Sequence, residues 1–484
     1  FAGRAEQRHA INAARTGLQV TGLRADMVAT NVSNATTPGY VRRSVLVSEM
    51  ITSNNPAGVR SDGVARSAND ALTAQRMSSG SDVAQASVIA SSWATLSARL
   101  GDTVDGSGLF AMVSDFESAL ATAAATPESQ ANLNGVLDAA KALASEFRSL
   151  SQFVAAERVD ADQEIASGVN TVNDALKQIQ ALNTKLGATD RTSARAAALM
   201  DERQRYVDTI SEFLPIDTID RQGGSIDIVT KEGVFLLAGS VREIEFSPAS
   251  TIGPADSIAS TALSGLSVGG LDITPGQPSY GAISSGLFGA LFTLRDTDLP
   301  AFNEQLDTVA SDLLARLDGA DAAGAGANTS LFIDTNPGST AGIAGRLAIN
   351  PLIDPLQGGQ LSRLRDGLDA TTTGDAGNGR LFNAMLDAMS ANRTLSAGGF
   401  EGSYSASNLV AGFASRTGQM RVSSEAVQAS TSAQHSIMVE AERKQTGVDV
   451  DQQMQQLLEI EQAYAANARV IEVANQMLLR LMEL

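Results

Sequence analysis

Residue types that most often carry covalent chemistry are scarce in this chain. Among 484 residues there is no cysteine, and histidine occurs only at His9 and His435. Thiolate catalysis, disulfide frameworks and cysteine-based metal sites are therefore excluded, and little is left for imidazole chemistry. One catalytic pattern matches: Gly265-Leu266-Ser267-Val268-Gly269 fits the G-x-S-x-G of a nucleophile elbow. Such a serine needs a strand before it, a helix after it and a histidine partner. Here the residues after Ser267 alternate like a second strand, and the downstream histidine, His435, lies in a helical stretch. Ser267 thus reads as part of a β-hairpin, with a serine hydrolase as the competing alternative. No Gly-Lys dipeptide exists to supply a P-loop lysine, and H-E-x-x-H and EF-hand loops are missing. Gly324-Ala325-Gly326 lacks the third glycine of a dinucleotide fingerprint. Glu459 and Glu461 are two apart, on different helix faces, and read as solvated charge. His9 and His435 read as polar residues on helix surfaces. No catalytic, cofactor-binding or metal-binding residue is assigned, and an enzyme is not expected.

Composition narrows the remaining classes. The net charge is −19, from 54 acidic and 35 basic side chains, which argues against a nucleic-acid surface. Aromatics are 4% with a single tryptophan, Trp93, so base-stacking platforms are not expected. A hydrophobic fraction of 43% supports a sizeable core, and the length suits two to four domains. No apolar run is long enough to span a bilayer, and residues 1–30, which open on Phe1, show no compact apolar block of a cleavable leader. The ends differ in sign. Residues 1–43 hold six arginines against two acidic residues, and residues 440–484 hold four basic against eight acidic residues. The two ends are electrostatically complementary.

The elements that must position these residues are mainly helical. In the C-terminal segment Val450, Met454, Leu457, Glu461, Tyr464, Ala468, Ile471, Asn475, Leu478 and Met482 recur at steps of four and three. That is a coiled-coil seam. A second seam overlaps it, from Ile460 through Ala463, Asn467, Val470, Ala474 and Met477 to Leu481 and Leu484. Two apolar faces on one helix imply cover on both sides. Asp449 and Gln452 have the spacing of a capping box. Asn467 and Asn475 suit either register devices or polar contacts to solvent or a neighbour. The N-terminal segment carries a matching stripe, Ile11, Ala14, Leu18, Thr21, Ala25, Val28 and Val32, which stops at Thr37-Pro38-Gly39, a type II turn signal. Residues 68–214 read as helical, with seams from Leu133 to Val154 and from Ile165 to Leu186, punctuated by Pro127. Residues 215–285 alternate instead, with Gly269-Gly270 as a hairpin turn. Helix returns over Leu287–Leu317, Asp318 to Ser330 reads as a flexible loop, residues 331–380 give no clear period, and helix dominates from Gly412. The fold class expected is mainly α with a β-rich insert, a multidomain α+β arrangement.

Two runs at opposite ends resemble a known group. Ala13-Ala14-Arg15-Thr16-Gly17-Leu18 and Asn31-Val32-Ser33-Asn34-Ala35-Thr36-Thr37-Pro38-Gly39-Tyr40 resemble the N-terminal signature of flagellar rod, hook and hook-associated proteins. Gln462-Ala463-Tyr464-Ala465-Ala466-Asn467-Ala468-Arg469-Val470-Ile471 resembles their C-terminal helix. Leu199-Met200-Asp201-Glu202-Arg203 and Gly286–Leu299, with Leu294-Arg295-Asp296, resemble the hook-associated protein 1 family within that group. The resemblance implies a structural subunit of the bacterial flagellum, secreted through the flagellar type III apparatus, that adapts hook to filament. A hook or rod subunit is the nearest alternative. It implies terminal helices, 1–45 with 440–484, paired in a tube domain. A helix-rich middle, 46–214 with 286–439, packs outside them, and an inserted outer β domain covers 215–285. Assembly residues are expected at Asn31, Asn34, Thr37, Pro38, Gly39 and Tyr40, and at Met454, Leu457, Tyr464, Asn467, Ile471 and Leu478. Implied partners are other copies in a helical tube, hook protein, a second junction protein and a cytoplasmic export chaperone on the C-terminal region. Neither nucleic acid, membrane insertion nor a cofactor is implied.

Overall fold

A computed structural model describes residues 2–52, 55–101, 106–318, 320, 330–370 and 372–482. The chain opens with helix α1 (Ala2–Ser33) and the hairpin β1 (Arg43–Thr52) and β2 (Asn55–Arg66). Four helices follow: α2 (Asp70–Leu100), α3 (Gly108–Ala125), α4 (Gln130–Gly187) and α5 (Ala194–Phe213). The starts of α2, α4 and α5 are set by side chains that satisfy otherwise unpaired helix N–H groups. Asn69 accepts from Leu72 N at 3.1 Å, Ser129 from Asn132 N at 3.4 Å and Ser193 from Ala196 N at 3.1 Å. Pro127 falls between α3 and α4, as the sequence suggests.

The β-rich stretch forms two small antiparallel sheets. One is β3 (Ile216–Asp220), β4 (Ile226–Thr230), β5 (Phe235–Ala238) and β6 (Ser240–Val241). The other is β7 (Ile244–Glu245), β8 (Ser267–Val268) and β9 (Leu271–Asp272). Gly269 and Gly270 turn β8 into β9 with φ of 57° and 80°, and Val268 faces Leu271 across the turn. Both positive angles fit a two-residue hairpin that matches strand twist.

Helix α6 (Gly286–Thr293) runs through a π-helical turn at Leu294–Asp298 into α7 (Leu299–Asp318). Residues 319 and 321–329 of the expected flexible loop lie outside the described residues, as does the Gly324-Ala325-Gly326 run. Residues 331–404 alternate short elements: β10 (Phe332–Asp334), α8 (Ile343–Arg346), β11 (Leu347–Ile349), α9 (Arg363–Asp366), α10 (Arg380–Ser390), and the hairpin β12 (Arg393–Ala397) and β13 (Phe400–Tyr404). Two long helices close the chain, α11 (Ala406–Thr446) and α12 (Val450–Met482). The fold is α-dominant with small antiparallel sheets.

Helix α4, 58 residues, is the spine, roughly 85 Å at 1.5 Å per residue. Its first half, Leu133 to Val154, packs with α3, α7, α10 and the start of α11 into one apolar cluster that includes Phe116, Phe302, Phe382 and Phe413. Its second half, Ile165 to Ile179, packs with α5, α6 and the strands into another, which includes Ile210, Ile228, Val268 and Phe288. Residues 215–285 therefore share a core with the helices on either side of them in sequence.

Between the clusters α4 presents charge. Asp162 and Arg295, both 0% exposed at the side chain, pair at 2.5 Å. Burying two charges is costly unless every polar atom is matched, and here they are matched by a long loop, residues 246–266. Ala249 N donates to Asp162 Oδ2 at 2.7 Å, and Arg295 donates to Ser264 O at 3.0 Å. Arg158 donates to Gly253 O at 2.9 Å, Asp256 O at 2.7 Å and Arg295 O at 2.8 Å. Burial lowers the Arg158 pKa, partly offset by Asp296. The loop is thus strapped across the waist between the two clusters.

Candidate functional site at the base of the terminal helices

The chain ends pair. Asn31 meets Gln453 at 2.9 Å, and Gly17 lies against Asn467, so α1 and α12 run antiparallel. The sequence stripe of α1 is the covered one, with Ala14, Thr21 and Val28 buried and Ile11, Leu18, Ala25 and Val32 half-buried. On α12 the covered stripe is Gln453, Leu457, Ile460, Asn467, Ile471, Ala474 and Leu478. It keeps heptad spacing but draws members from both seams read in the sequence. Leu457, Asn467, Ile471 and Leu478 of the expected assembly residues lie on it. Met454 and Tyr464 do not, being 48% and 52% exposed. Asp449 accepts from Gln452 N at 3.2 Å at the start of α12, one half of the expected capping box. The opposite charges of the two ends are not expressed as contacts: among the described residues no ion pair joins α1 to α12.

At the base of the pair the N-terminal motif forms a node. Asn31 is 2% exposed and uses all four of its hydrogen-bonding positions. Its Nδ2 donates to Arg43 O at 2.8 Å and Gln453 Oε1 at 2.9 Å. Its Oδ1 accepts from Tyr40 OH at 2.8 Å and Arg43 N at 3.0 Å. Asn34 donates to Thr30 O at 2.9 Å and so closes the last turn of α1. The following turn is held by Tyr40 N donating to Thr37 O at 3.2 Å, with Gly39 at φ 75°. That is the type II turn the Pro38-Gly39 pair predicts, and it needs glycine at its third position. Thr37, Pro38 and Gly39 are exposed, whereas Tyr40 packs its ring under the Arg43 guanidinium at 4.8 Å. Burial raises the Tyr40 pKa, so its hydroxyl stays a donor.

Residues outside the expected set complete the node. Arg43 and Arg66, on the first residue of β1 and the last of β2, share the Asp201 carboxylate at 2.6 Å each. Asp201 sits in α5 within the run Leu199-Met200-Asp201-Glu202-Arg203. Two residues on, Arg203 donates to Asn183 and Gly224 O, and burial lowers its pKa to about 10. Arg42 N donates to Thr446 O at 2.8 Å and its side chain to Gln452 at 2.9 Å, which pins the joint between α11 and α12. Beyond the joint, Arg76 of α2 bridges Asp208 at 2.7 Å and Glu442 at 2.5 Å. Burial disfavours its charge, but the two carboxylates outweigh this and raise its pKa. Gln453 left a signal in sequence, a polar residue at the heptad position before Leu457 and Ile460. Arg43 and Asp201 left none, because their partnership spans 158 positions.

The serine and histidines are placed elsewhere. Ser267 lies on β8, which turns through Gly269-Gly270 into β9 rather than a helix, and its hydroxyl meets Glu245 at 3.4 Å. His435, half-buried on α11, pairs with Ser79 of α2 at 3.0 Å, and His9 is exposed on α1. Ser267 therefore lies in a β-hairpin and not in the strand–turn–helix of a nucleophile elbow.

Residues 95–334 match the family profile described as "Flagellar hook-associated protein FlgK helical domain", and residues 444–484 match "Flagellar basal body rod FlgEFG protein C-terminal". The middle of the chain is thus similar to the helical domain of FlgK-family hook-associated proteins, and its C-terminal helix to that of rod-type proteins. The chain is similar to flagellar hook-associated protein 1 of Escherichia coli K12, at 23% identity over 317 residues, 62% of this chain and 54% of that protein. Flagellar hook-associated protein 1 of Bacillus subtilis is similar at 22% identity, over 48% of this chain and 47% of its own length. The chain thus spans about half the length of the curated relatives it matches. A solved structure of the flagellar hook junction protein FlgK from Burkholderia pseudomallei matches with a TM-score of 0.43 at 19% identity, over 55% of this chain and 49% of that one. The FlgK helical-domain match takes in α4, α5, α6 and α7. The rod-type match takes in all of α12, so the node sits where the two regions meet in space.

Proposed function

We propose that this chain is a FlgK-family adapter subunit of the hook–filament junction, assembled head to tail in the flagellar axis. The observation that carries the reading is α12. One stripe is covered by α1, yet Leu458, Val470, Val473, Met477 and Leu479 are 45–62% exposed on its other faces. Exposed apolar residues on a regular helix mark a surface meant for a partner, and lateral neighbours in a tube wall supply one. Residues 1–45 with 440–484 form the tube layer. Residues 46–214 with 286–439 form the middle layer, and 215–285 face outward while sharing its core. Asn31, Asn34, Thr37, Pro38, Gly39 and Tyr40 fix where the tube layer leaves the middle. Met454 and Tyr464 face neighbours, whereas Leu457, Asn467, Ile471 and Leu478 hold the pair together.

Partners on this reading are other copies of the chain, hook protein below and a second junction protein above. A cytoplasmic chaperone covers α12 before export through the flagellar type III apparatus. The heterologous contacts propagate along the tube. The role is structural, outside the cell, with no reaction assigned. Electron microscopy of a strain lacking the gene tests it: hooks should remain, filaments should not attach, and flagellin should appear in the medium. Absence of hooks would place the chain in rod or hook, and attached full-length filaments would end the junction reading.

A further inference from the structure

The node links segments that share no local reason to order together. Gln453, Asn31, Arg43 and Asp201 are 1%, 2%, 9% and 7% exposed and touch in that sequence, from α12 through α1 to β1 and α5. Asn31 grips the Arg43 peptide from both sides, N–H and C=O. The Arg43 side chain then holds Asp201 jointly with Arg66, at the other strand end. We infer that Asn31 couples the docking of α12 to the seating of the β1–β2 hairpin base on α5, so that these two contacts order as one unit.

The physical reason is satisfaction. An Asn side chain has two donors and two acceptor sites, and here each has a protein partner. Withdrawing Gln453 leaves one N–H of Asn31 unmatched in a buried site, which favours a rotation of the amide to find water. Any such rotation releases the Arg43 peptide and the Tyr40 hydroxyl, because the same plane carries all four bonds. The rest of the hairpin is anchored separately: Gly58, toward the turn, lies against Thr16 and Ala13, and Val64, paired with Val45 just above the base, donates through its N to Thr192 O at 2.6 Å. The coupling therefore reaches the hairpin base only. Coupling is reciprocal, so weakening the α5 end must loosen the first turns of α12.

Hydrogen exchange on the purified full chain tests this without reference to the flagellum, so its outcome is separate from the junction reading. Gln453→Ala should speed exchange of the Arg43 amide and its neighbours in residues 41–46 by about fivefold or more, although the hydrogen bonds that link Gln453 to the hairpin run through Asn31. Gln453→Glu, which keeps an acceptor, should restore slow exchange. Asp201→Asn should speed exchange in residues 450–457, and the double variant with Gln453→Ala should fall short of additive. Leu478→Ala, at the far end of the α1/α12 seam, should leave residues 41–46 as they are. The inference is overturned if Gln453→Ala speeds exchange in α12 alone. It is equally overturned if Leu478→Ala loosens the hairpin base as much, since general undocking would then explain the effect.

Discussion

Helices α4 and α12 carry the same kind of pattern in sequence and meet opposite fates. On α4, Leu133, Leu137, Ala140, Ala144 and Phe147 are at most 3% exposed, and the seam continues buried from Ile165 to Leu186. On α12, one narrow stripe is covered and large side chains such as Leu458 and Leu479 stand 58% and 62% exposed. Apolar periodicity states that a face needs cover; it does not state which chain provides it. For α4 the cover is its own chain, which surrounds it on several sides. For α12 only α1 is available, and a second seam is left over.

Substitutions on the two helices should separate these cases sharply. Phe147→Ala should cost about 3–5 kcal/mol in chemical denaturation, the usual range for emptying a closed core site. Leu458→Ala should change the stability of the free chain by no more than about 0.5 kcal/mol, yet lower its incorporation into the axial structure when cells are imaged. Equal costs in the free chain would mean that α12 is already covered within one molecule.

Between those extremes lies the turn below α1. Gly39 has φ 75°, and a Cβ there would meet the Arg205 side chain at 3.1 Å. Gly39→Val should destabilise by about 1–2 kcal/mol through the left-handed backbone alone, detectable as a lower unfolding midpoint. A smaller effect is expected at Asp334, where hydrogen bonds from Arg346 hold the carboxyl below its ordinary range. A depressed acid contributes stability that is fully present above its unfolded pKa of about 3.9. That contribution disappears as pH falls through the folded value below it. Asp334→Asn should therefore flatten the acid limb of a stability–pH curve and leave its shape near neutrality unchanged. Smallest of all, Ser267→Ala should stay within about 0.5 kcal/mol of the parent, since that hydroxyl is exposed and its bond to Glu245 is long. A measurable hydrolase activity lost in the same variant would reopen the catalytic reading.

Much of this arrangement was legible in sequence because its determinants are local. The α1 stripe, the heptads of α4, the Pro38-Gly39 turn and the Gly269-Gly270 hairpin depend on residues a few positions apart. The β1–β2 hairpin gave no signal, since its strands bulge at Leu46/Val47 and Met50/Ile51 and break the two-residue alternation. The β12–β13 hairpin has the same Gly-Gly turn, at Gly398-Gly399, but its strands are mostly exposed and carry little apolar pattern to mark them. At the node, Asn31 and Tyr40 were expected, but what they hold was not. Arg43, Asp201 and Gln453 come from three distant parts of the chain, and only the fold brings them together. The stripe on α12 was read as two complete seams. In three dimensions a single helical partner selects alternate members of both.

The strap over the waist bears on how freely this sequence can vary. Its pins are the main-chain atoms of Ala249, Gly253, Asp256 and Ser264, gripped by the side chains of Arg158, Asp162 and Arg295. A backbone carbonyl is the same in any residue, so the strap is held by its path and not by its letters. Ile252, Leu263 and Leu266, all buried, commit side chains to the interior, and Phe246 and Ile258 pack partly against it. In a library covering every position, residues 246–266 should therefore accept many replacements apart from those five. Arg158, Asp162 and Arg295 should accept almost none, each being answerable for atoms that it does not share with its neighbours in sequence. The constraint on this loop is recorded elsewhere in the gene.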